Sequence, residues 1–501
     1  MTKCYDLDLL LVNPGGRKRA YQSLGSEVAA IEPPVWAGLM ASFARMKEYT
    51  VAILDANAEN MDPAAVAKEI VARKPRLTAV VVYGHNPSAS TQVLPAAGAI
   101  CRALHELHPD MASILVGGHV AALPEQTLRE EAATFVAGGE GPYTLVDLIE
   151  ALKSGSGDYR RVRGLWYWEG ETIRSNPPAP LVTDLDREMP GMAWDLLPMA
   201  NYRAHNWHCF GGIPRRPYGA LYTTLGCPFH CSFCCIQAPF RDGEKVLGYK
   251  PGISSYRLWR PETIIQQIDS LVNTYGITNL KIADELFVCQ RRHVLAICDL
   301  IISRGYKLNI WAYARVDTLV DEMLDKLKQA GFNWLGLGIE SANERVRNDA
   351  QKGYRQEHLF KAIDRIKARQ IMIGGNFIFG LPEDDLRTMQ ETLDLALEIL
   401  PDFGNFYCAM AYPGSKLYDL ALRQGWPRPP TWSGYSQYAV DTLPLPTKHL
   451  TGPEVLRFRD QAFITYNTSQ KYLEMMTAKF GKDTANDIRK AASYNLDRKY
   501  A

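Results

Sequence analysis

Three cysteines within eight residues constrain this chain more than any other stretch: Cys227, Cys231 and Cys234, in the loop Cys227-Pro228-Phe229-His230-Cys231-Ser232-Phe233-Cys234. The loop follows an apolar run at 220–225 and the turn residue Gly226, so three thiols stand at the end of a strand, a placement that suggests a metal site. Structural zinc takes four ligands, usually in two separated pairs, and no second pair follows downstream. Three thiolates suit a four-iron cubane better, with one iron left open to a ligand that is not protein. Cluster type, hydrogen bonding and burial then set potential and reactivity.

The spacing CxxxCxΦC, with Phe233 in the aromatic slot, resembles the signature of the radical S-adenosylmethionine (SAM) superfamily. The resemblance implies that Cys227, Cys231 and Cys234 hold a 4Fe-4S cluster and that the amino and carboxylate groups of SAM chelate the open iron. It also implies an electron donor such as flavodoxin or ferredoxin, and reductive release of a 5′-deoxyadenosyl radical.

With 501 residues and 47% hydrophobic content, the chain is long enough for two or three domains with large cores. Lys and Arg total 56 against 55 for Asp and Glu, so no general field gathers nucleic acid or an acidic membrane. No apolar segment reaches membrane-spanning length and the first residues, Met1 to Asp6, are not a basic leader, so the expected location is cytoplasmic. Ten cysteines, three of them in one loop, fit a reducing compartment.

Residues 1–153 alternate short apolar runs at 7–12, 51–55, 78–83, 113–116 and 134–137 with amphipathic stretches at 34–46, 63–73, 91–107 and 142–153. Proline in the first turn of three of these stretches fits a helix start. The pattern predicts an α/β fold, a doubly wound Rossmann-like sheet whose ligands bind beyond the carboxyl ends of the strands. Those ends are rich in glycine: Asn13-Pro14-Gly15-Gly16, Tyr83-Gly84-His85-Asn86, Gly117-Gly118-His119 and Gly138-Gly139-Glu140-Gly141. No GxGxxG opens the first helix, so a nicotinamide cofactor is not indicated. Together with Glu32-Pro33-Pro34 and Leu123-Pro124-Glu125, these segments resemble the cobalamin-binding domain that precedes the radical module in one branch of the superfamily. The resemblance implies cobalamin contacts at Gly84, Gly117, Gly118, His119, Gly139 and Glu140. The DxHxxG loop that supplies a histidine to cobalt is missing, which predicts cobalamin without a histidine lower ligand. His85 and His119 read as rim or packing residues. The alternative is a flavodoxin-like domain that binds nothing.

Residues 154–215 read as a connector, with a hairpin at 162–173 turning at Gly170, a proline-stiffened stretch, and the aromatics Trp194, Tyr202, Trp207 and Phe210. That aromatic segment covers the active site or, more simply, packs between domains. Residues 216–420 repeat strand and helix six times, with strands at 220–225, 279–283, 308–313, 334–339, 372–379 and 406–411, a partial (β/α)6 barrel with its chemistry at the carboxyl ends. At those ends stand Asp284 and Glu285, Arg315, Glu340 and Ser341, Gly380 with Glu383, and Met410. The resemblance gives them to SAM: acids near its ammonium, a base near its carboxylate, and backbone near adenine. Cys235 is expected to face away from Cys234 in an extended loop, as a bystander thiol. Residues 421–501 form an aromatic loop and a helical region whose basic end, Arg489, Lys490, Arg498 and Lys499, reads as solvated surface.

The function expected from the resemblance is a cobalamin-dependent radical SAM enzyme that methylates an unactivated carbon of a small molecule or biosynthetic intermediate. One SAM methylates reduced cobalt and a second yields the radical. Ring closure or rearrangement is the alternative, with cobalamin in another role or absent. A reading of another class is an iron-sulfur electron carrier or redox sensor, which needs no acids at successive strand ends. Cys4 and Cys101 are too few to bind the second cluster of a methylthiotransferase.

Overall fold

A computed structural model describes residues 5–22, 28–494 and 496–501, so Met1 to Cys4 of the leading segment lie outside the described residues. The first sheet contains β1 (Leu7–Asn13), β2 (Val51–Asp55), β3 (Pro75–Val81), β4 (Ser113–Val116) and β5 (Phe135–Ala137). They pair in parallel in the order β2-β1-β3-β4-β5, the flavodoxin-like arrangement. Both faces are covered, which explains runs that are apolar without alternation. Leu9, Leu11, Leu77 and Ala79 face the helices Val35–Arg45 and Pro142–Ser154, while Leu10, Val12, Val80 and Leu115 face Pro63–Arg73 and Ala89–Leu107. Pro63 and Pro142 open their helices as expected; Pro34 sits one position earlier, at the N-cap.

The hairpin of β6 (Leu165–Glu169) and β7 (Thr172–Ser175) joins this sheet, with β6 antiparallel to β5. Part of the segment expected to be a connector is therefore the last two strands of the first sheet. Sequence spacing could not show it, because an isolated hairpin and a sheet edge have the same local pattern.

The second sheet is parallel throughout, in the order β15-β14-β13-β12-β11-β8. Its strands are β8 (Tyr218–Leu221), β11 (Asn279–Ile282), β12 (Asn309–Arg315), β13 (Phe332–Glu340), β14 (Met372–Phe379) and β15 (Phe403–Cys408). Helices between consecutive strands wind it one way into a partial barrel. The single strand expected at 220–225 is two: β8 ends at Leu221, and β9 (Thr224–Gly226) pairs instead with β10 (Tyr256–Leu258). Buried Asp284 causes the break, accepting hydrogen bonds from the Thr223 N–H at 2.6 Å and from both Thr223 and Thr224 hydroxyls. The last strand begins three residues earlier than expected and ends before Met410.

Trp207 fills the end of the barrel away from the cysteines. Its indole stacks on Phe403 at 5.4 Å and meets Trp311 and Trp334 edge-on at 5.2 Å each. Trp207 and Phe210 thus pack as a floor, while Tyr202 donates to Asp55 at the end of β2 at 2.8 Å, so the aromatic connector packs below and between the units and not over the cluster loop. Helices Gly452–Thr468, Gln470–Phe480 and Lys482–Ala492 complete the chain. Arg498 corrects the reading of a solvated basic end: its side chain is 6% exposed, pairs with Asp460 at 2.9 Å and donates to the Ala439 and Gln437 carbonyls.

The two sheets share one core. Trp36 stacks on Tyr83 at 4.1 Å and meets Tyr222 and Phe240 from the second unit at about 6 Å. Among the described residues, no helix is long and apolar enough to cross a membrane.

Candidate functional site

The cluster loop leaves β9 through Gly226, whose φ of +89° favours glycine and where an added Cβ would lie 2.2 Å from the Ser255 carbonyl oxygen. Backbone bonds then pin it: Ser232 donates to Ala350 and accepts from Leu417, and Gln237 Nε2 donates to the Cys227 carbonyl at 2.7 Å. The loop is a series of turns, with Cys234 N–H bonded to Cys231 O and Ala238 N–H to Cys235 O, not the extended segment expected. Cys235 is buried while Cys227, Cys231 and Cys234 are half-buried. Phe233 packs against the cluster of Val346, Leu381 and Ala409, anchoring the loop.

The three thiols are free of disulfides. Burial pushes Cys227 up to about 11 and Cys234 well above the ordinary thiol value, with repulsion from neighbouring thiols adding to both, so binding a metal must displace protons. Among the described residues no group of three His, Cys, Asp or Glu side chains is set for a single metal ion. A cubane asks something different, since each thiolate binds its own iron. Cys231 and Cys234 open onto a cavity of about 500 Å³, room enough for a cluster, and the donor set fits one.

Arg315 ends β12 with its guanidinium 3.9 Å from the centre of the Phe229 ring and Nη1 3.7 Å from Cys231 Sγ, held by Asp317 at 2.9 Å. The acids proposed beside it divide. Asp284 is fully engaged in holding the β8–β9 break, whereas Glu285 faces the cavity between the sheets, with the Tyr222 hydroxyl donating to Oε1 at 3.3 Å. Burial raises Glu285 to about 8 and Asp284 to about 6. Glu340 ends β13 at a bulge with a φ of +67°, and its carboxylate meets buried Lys352 at 2.5 Å. Ser341 is buried against the Thr392 hydroxyl at 3.2 Å. The N–H groups of Gly380 and Leu381 both donate to Asp384, while Glu383 turns outward to Arg345 and Lys448. Met410 is buried, its carbonyl accepting from Tyr412 N–H.

On the first sheet, the carboxyl ends of β1 and β3 with Glu32-Pro33-Pro34 line an open cleft of about 100 Å³. Gly84 borders both this cleft and the interdomain cavity, and Gly118 borders the latter. At Gly117 an added Cβ would stand 2.1 Å from the Val82 carbonyl oxygen, so only glycine allows this approach of β3 and β4. The glycine rim lets the backbone approach a bound ligand closely, which suits the edge of a large planar group. His119 is packed away, its Nδ1 3.1 Å from the Thr91 hydroxyl and its ring edge-on to Trp432. Gly139 faces the Pro239 carbonyl across the domain boundary, and the neighbouring Glu140 side chain is buried against Arg257 at 2.7 Å and the Val182 N–H at 3.0 Å.

Sequence reasoning missed a second crossing. Lys281, 1% exposed inside the barrel, pairs with Glu32 at 2.7 Å and donates to the His85 carbonyl. A lysine in the middle of a buried strand was the available signal. Lys352 carried none, because its partner is set by the bulge at Glu340.

Comparison with known proteins finds two family models along the chain. Residues 221–396 match the family model of the Radical SAM superfamily and residues 21–149 that of the B12 binding domain. The chain is 27% identical to an uncharacterized methyltransferase of Pyrococcus horikoshii over 89% of this chain and 90% of that protein. It is also 27% identical to the anaerobic magnesium-protoporphyrin IX monomethyl ester cyclase of Rubrivivax gelatinosus, over 79% and 68% of the respective chains. The fold resembles that of the radical SAM methyltransferase TsrM from Kitasatospora setae, a structure with cobalamin and a 4Fe-4S cluster bound. The TM-score is 0.62 at 17% identity, over 83% of this chain and 74% of that one.

Proposed function

Because this chain belongs to the cobalamin-binding-domain radical SAM enzymes, we propose that it transfers a methyl group to an unactivated carbon of a small-molecule or biosynthetic intermediate. The observation that carries the reading is the shared interdomain cavity, with Gly84, Ser90 and Gly118 on one wall and Tyr222, Leu225 and Glu285 on the other. Residues proposed for both cofactors thereby meet one space. Cys227, Cys231 and Cys234 would hold the cluster and the glycine rim the cobalamin. When bound, these groups supply the reducing electron, the radical and a methyl carrier.

The protein's own part is binding and exclusion. Glu285 would receive the ammonium of SAM, releasing its proton as the ion pair forms, with Tyr222 fixing the carboxylate. Arg315, already beside Cys231, would face the carboxylate end. The rings of Trp36, Tyr83, Tyr222 and Phe240 keep the boundary dry. The methyltransferase relative matches nearly end to end, which supports methylation. The cyclase relative is equally identical and supports ring closure as the second reading.

Reaction stoichiometry separates the two. With the true substrate, methylation yields S-adenosylhomocysteine and 5′-deoxyadenosine in equal amounts and places methyl label in the product only with cobalamin present. Substrate-dependent 5′-deoxyadenosine with an unlabelled product would overturn methylation and leave the radical reading standing.

A further inference from the structure

The surface beside the cluster loop is unusually apolar. Of the thirteen large apolar side chains exposed among the described residues, four fall within residues 246–253: Val246 at 49%, Leu247 at 38%, Tyr249 at 37% and Ile253 at 55%. They cap the short helix Arg241–Val246 and the loop beyond it. Scattered exposed apolar residues are ordinary, but four in one short segment mark a contact surface. Tyr249 and Ile253 stand on the lip of the cavity onto which Cys231 and Cys234 open.

The same lip is basic. Lys245, Lys250 and Lys416 border it and are exposed. Lys245 reaches Asp242 at 2.7 Å, a pair open to solvent and weak, and Lys250 has no ion-pair partner among the described residues. Arg241 adds a fourth exposed cation and Asp419 one exposed acid, so the balance of the lip is basic. An apolar centre with a net-basic rim is the anatomy of a protein docking site, and the sign selects an acidic partner.

We propose that this face docks a small acidic one-electron carrier protein, a reading that rests on Cys227, Cys231 and Cys234 holding the cluster. It is where two of those thiols open toward solvent, while Trp207 fills the far end of the barrel. One electron passes from the reduced carrier to the cluster; the carrier is oxidised and the cluster reduced by one electron, and no bond forms or breaks. A small inorganic reductant uses the same opening without needing the apolar patch.

The test uses reconstituted holoenzyme and a purified acidic 2Fe-2S ferredoxin as probe. Calorimetric titration with oxidised ferredoxin should give binding that weakens with salt. Lys245→Glu/Lys250→Glu/Lys416→Glu should weaken it about tenfold or more, and Ile253→Ser should weaken it while keeping the salt dependence. Formation of 5′-deoxyadenosine driven by reduced ferredoxin should fall in parallel, while the dithionite-driven rate stays at the native level. Equal binding by native and charge-reversed proteins overturns the proposal, as does self-association through Ile253 with no ferredoxin binding. If the native enzyme cleaves SAM with dithionite but binds no ferredoxin, only the docking face is wrong. If dithionite yields no cleavage either, the cluster reading fails and the docking face with it.

Discussion

Glu140, from the end of the first sheet, and Arg257, on β10 of the second unit, meet at 2.7 Å with both side chains under a tenth exposed. Arg257 also donates to the Val182 carbonyl and lies 5.1 Å from the Phe240 ring centre, so it ties three segments across the boundary. Removing one partner leaves the other charged and buried. Glu140→Gln or Arg257→Met should therefore cost about 3–5 kcal/mol in urea unfolding, and the double variant should lose less than the sum. A loss under 1 kcal/mol would show that water reaches the pair.

Replacing Cys227, Cys231 or Cys234 with Ala should abolish iron-sulfur absorbance and reductive cleavage of SAM. Cys235→Ala should keep both, since Cys235 is buried on the interdomain cavity and does not border the one onto which Cys231 and Cys234 open. An indispensable Cys235 beside a dispensable member of the three would reassign the ligands.

Cobalamin bound to this chain should show no nitrogen hyperfine splitting from a protein histidine in the cobalt(II) state. His119 is already bonded to Thr91 within the fold, and Asn13-Pro14-Gly15-Gly16 replaces the histidine-bearing loop. A histidine signal lost in His85→Ala or His119→Ala would reverse that expectation.

Glu285 predicts a pH dependence. Burial raises its folded value to about 8 from an ordinary 4.5, so across that window the folded state keeps a proton the unfolded chain has released. Its contribution to stability is full below about pH 4.5 and is lost as pH rises through 8. Asp284, raised to about 6, acts in the same sense over a lower window. Glu285→Gln stays neutral throughout, so the fall in apoprotein urea midpoint from about pH 5 to 8 should be shallower than in the native protein. Parallel profiles would place Glu285 in water.

The fold was largely legible because parallel strands buried on both faces leave continuous apolar runs, as at Leu7–Asn13, and because one helix lies between successive strands. The cysteine loop was legible from spacing alone. What stayed hidden depends on contacts distant in sequence. Nothing near Glu140 announces Arg257, 117 residues away, and nothing near Arg498 announces Asp460. Asp284 and Glu285 are adjacent and chemically alike, yet one closes a strand break and the other faces a cavity. Only the direction of each side chain separates them.

The floor made by Trp207 bears on traffic. With Phe403, Trp311 and Trp334 packed around that indole, nothing passes through that end, and a molecule that enters the barrel has to leave at the end where its strands finish. Arrival and departure then share one end of the barrel, so product should inhibit competitively with substrate. Trp207→Ala, by opening a rear exit, would relax that competition at some cost in stability, smaller than for a fully buried tryptophan because Trp207 is half-buried.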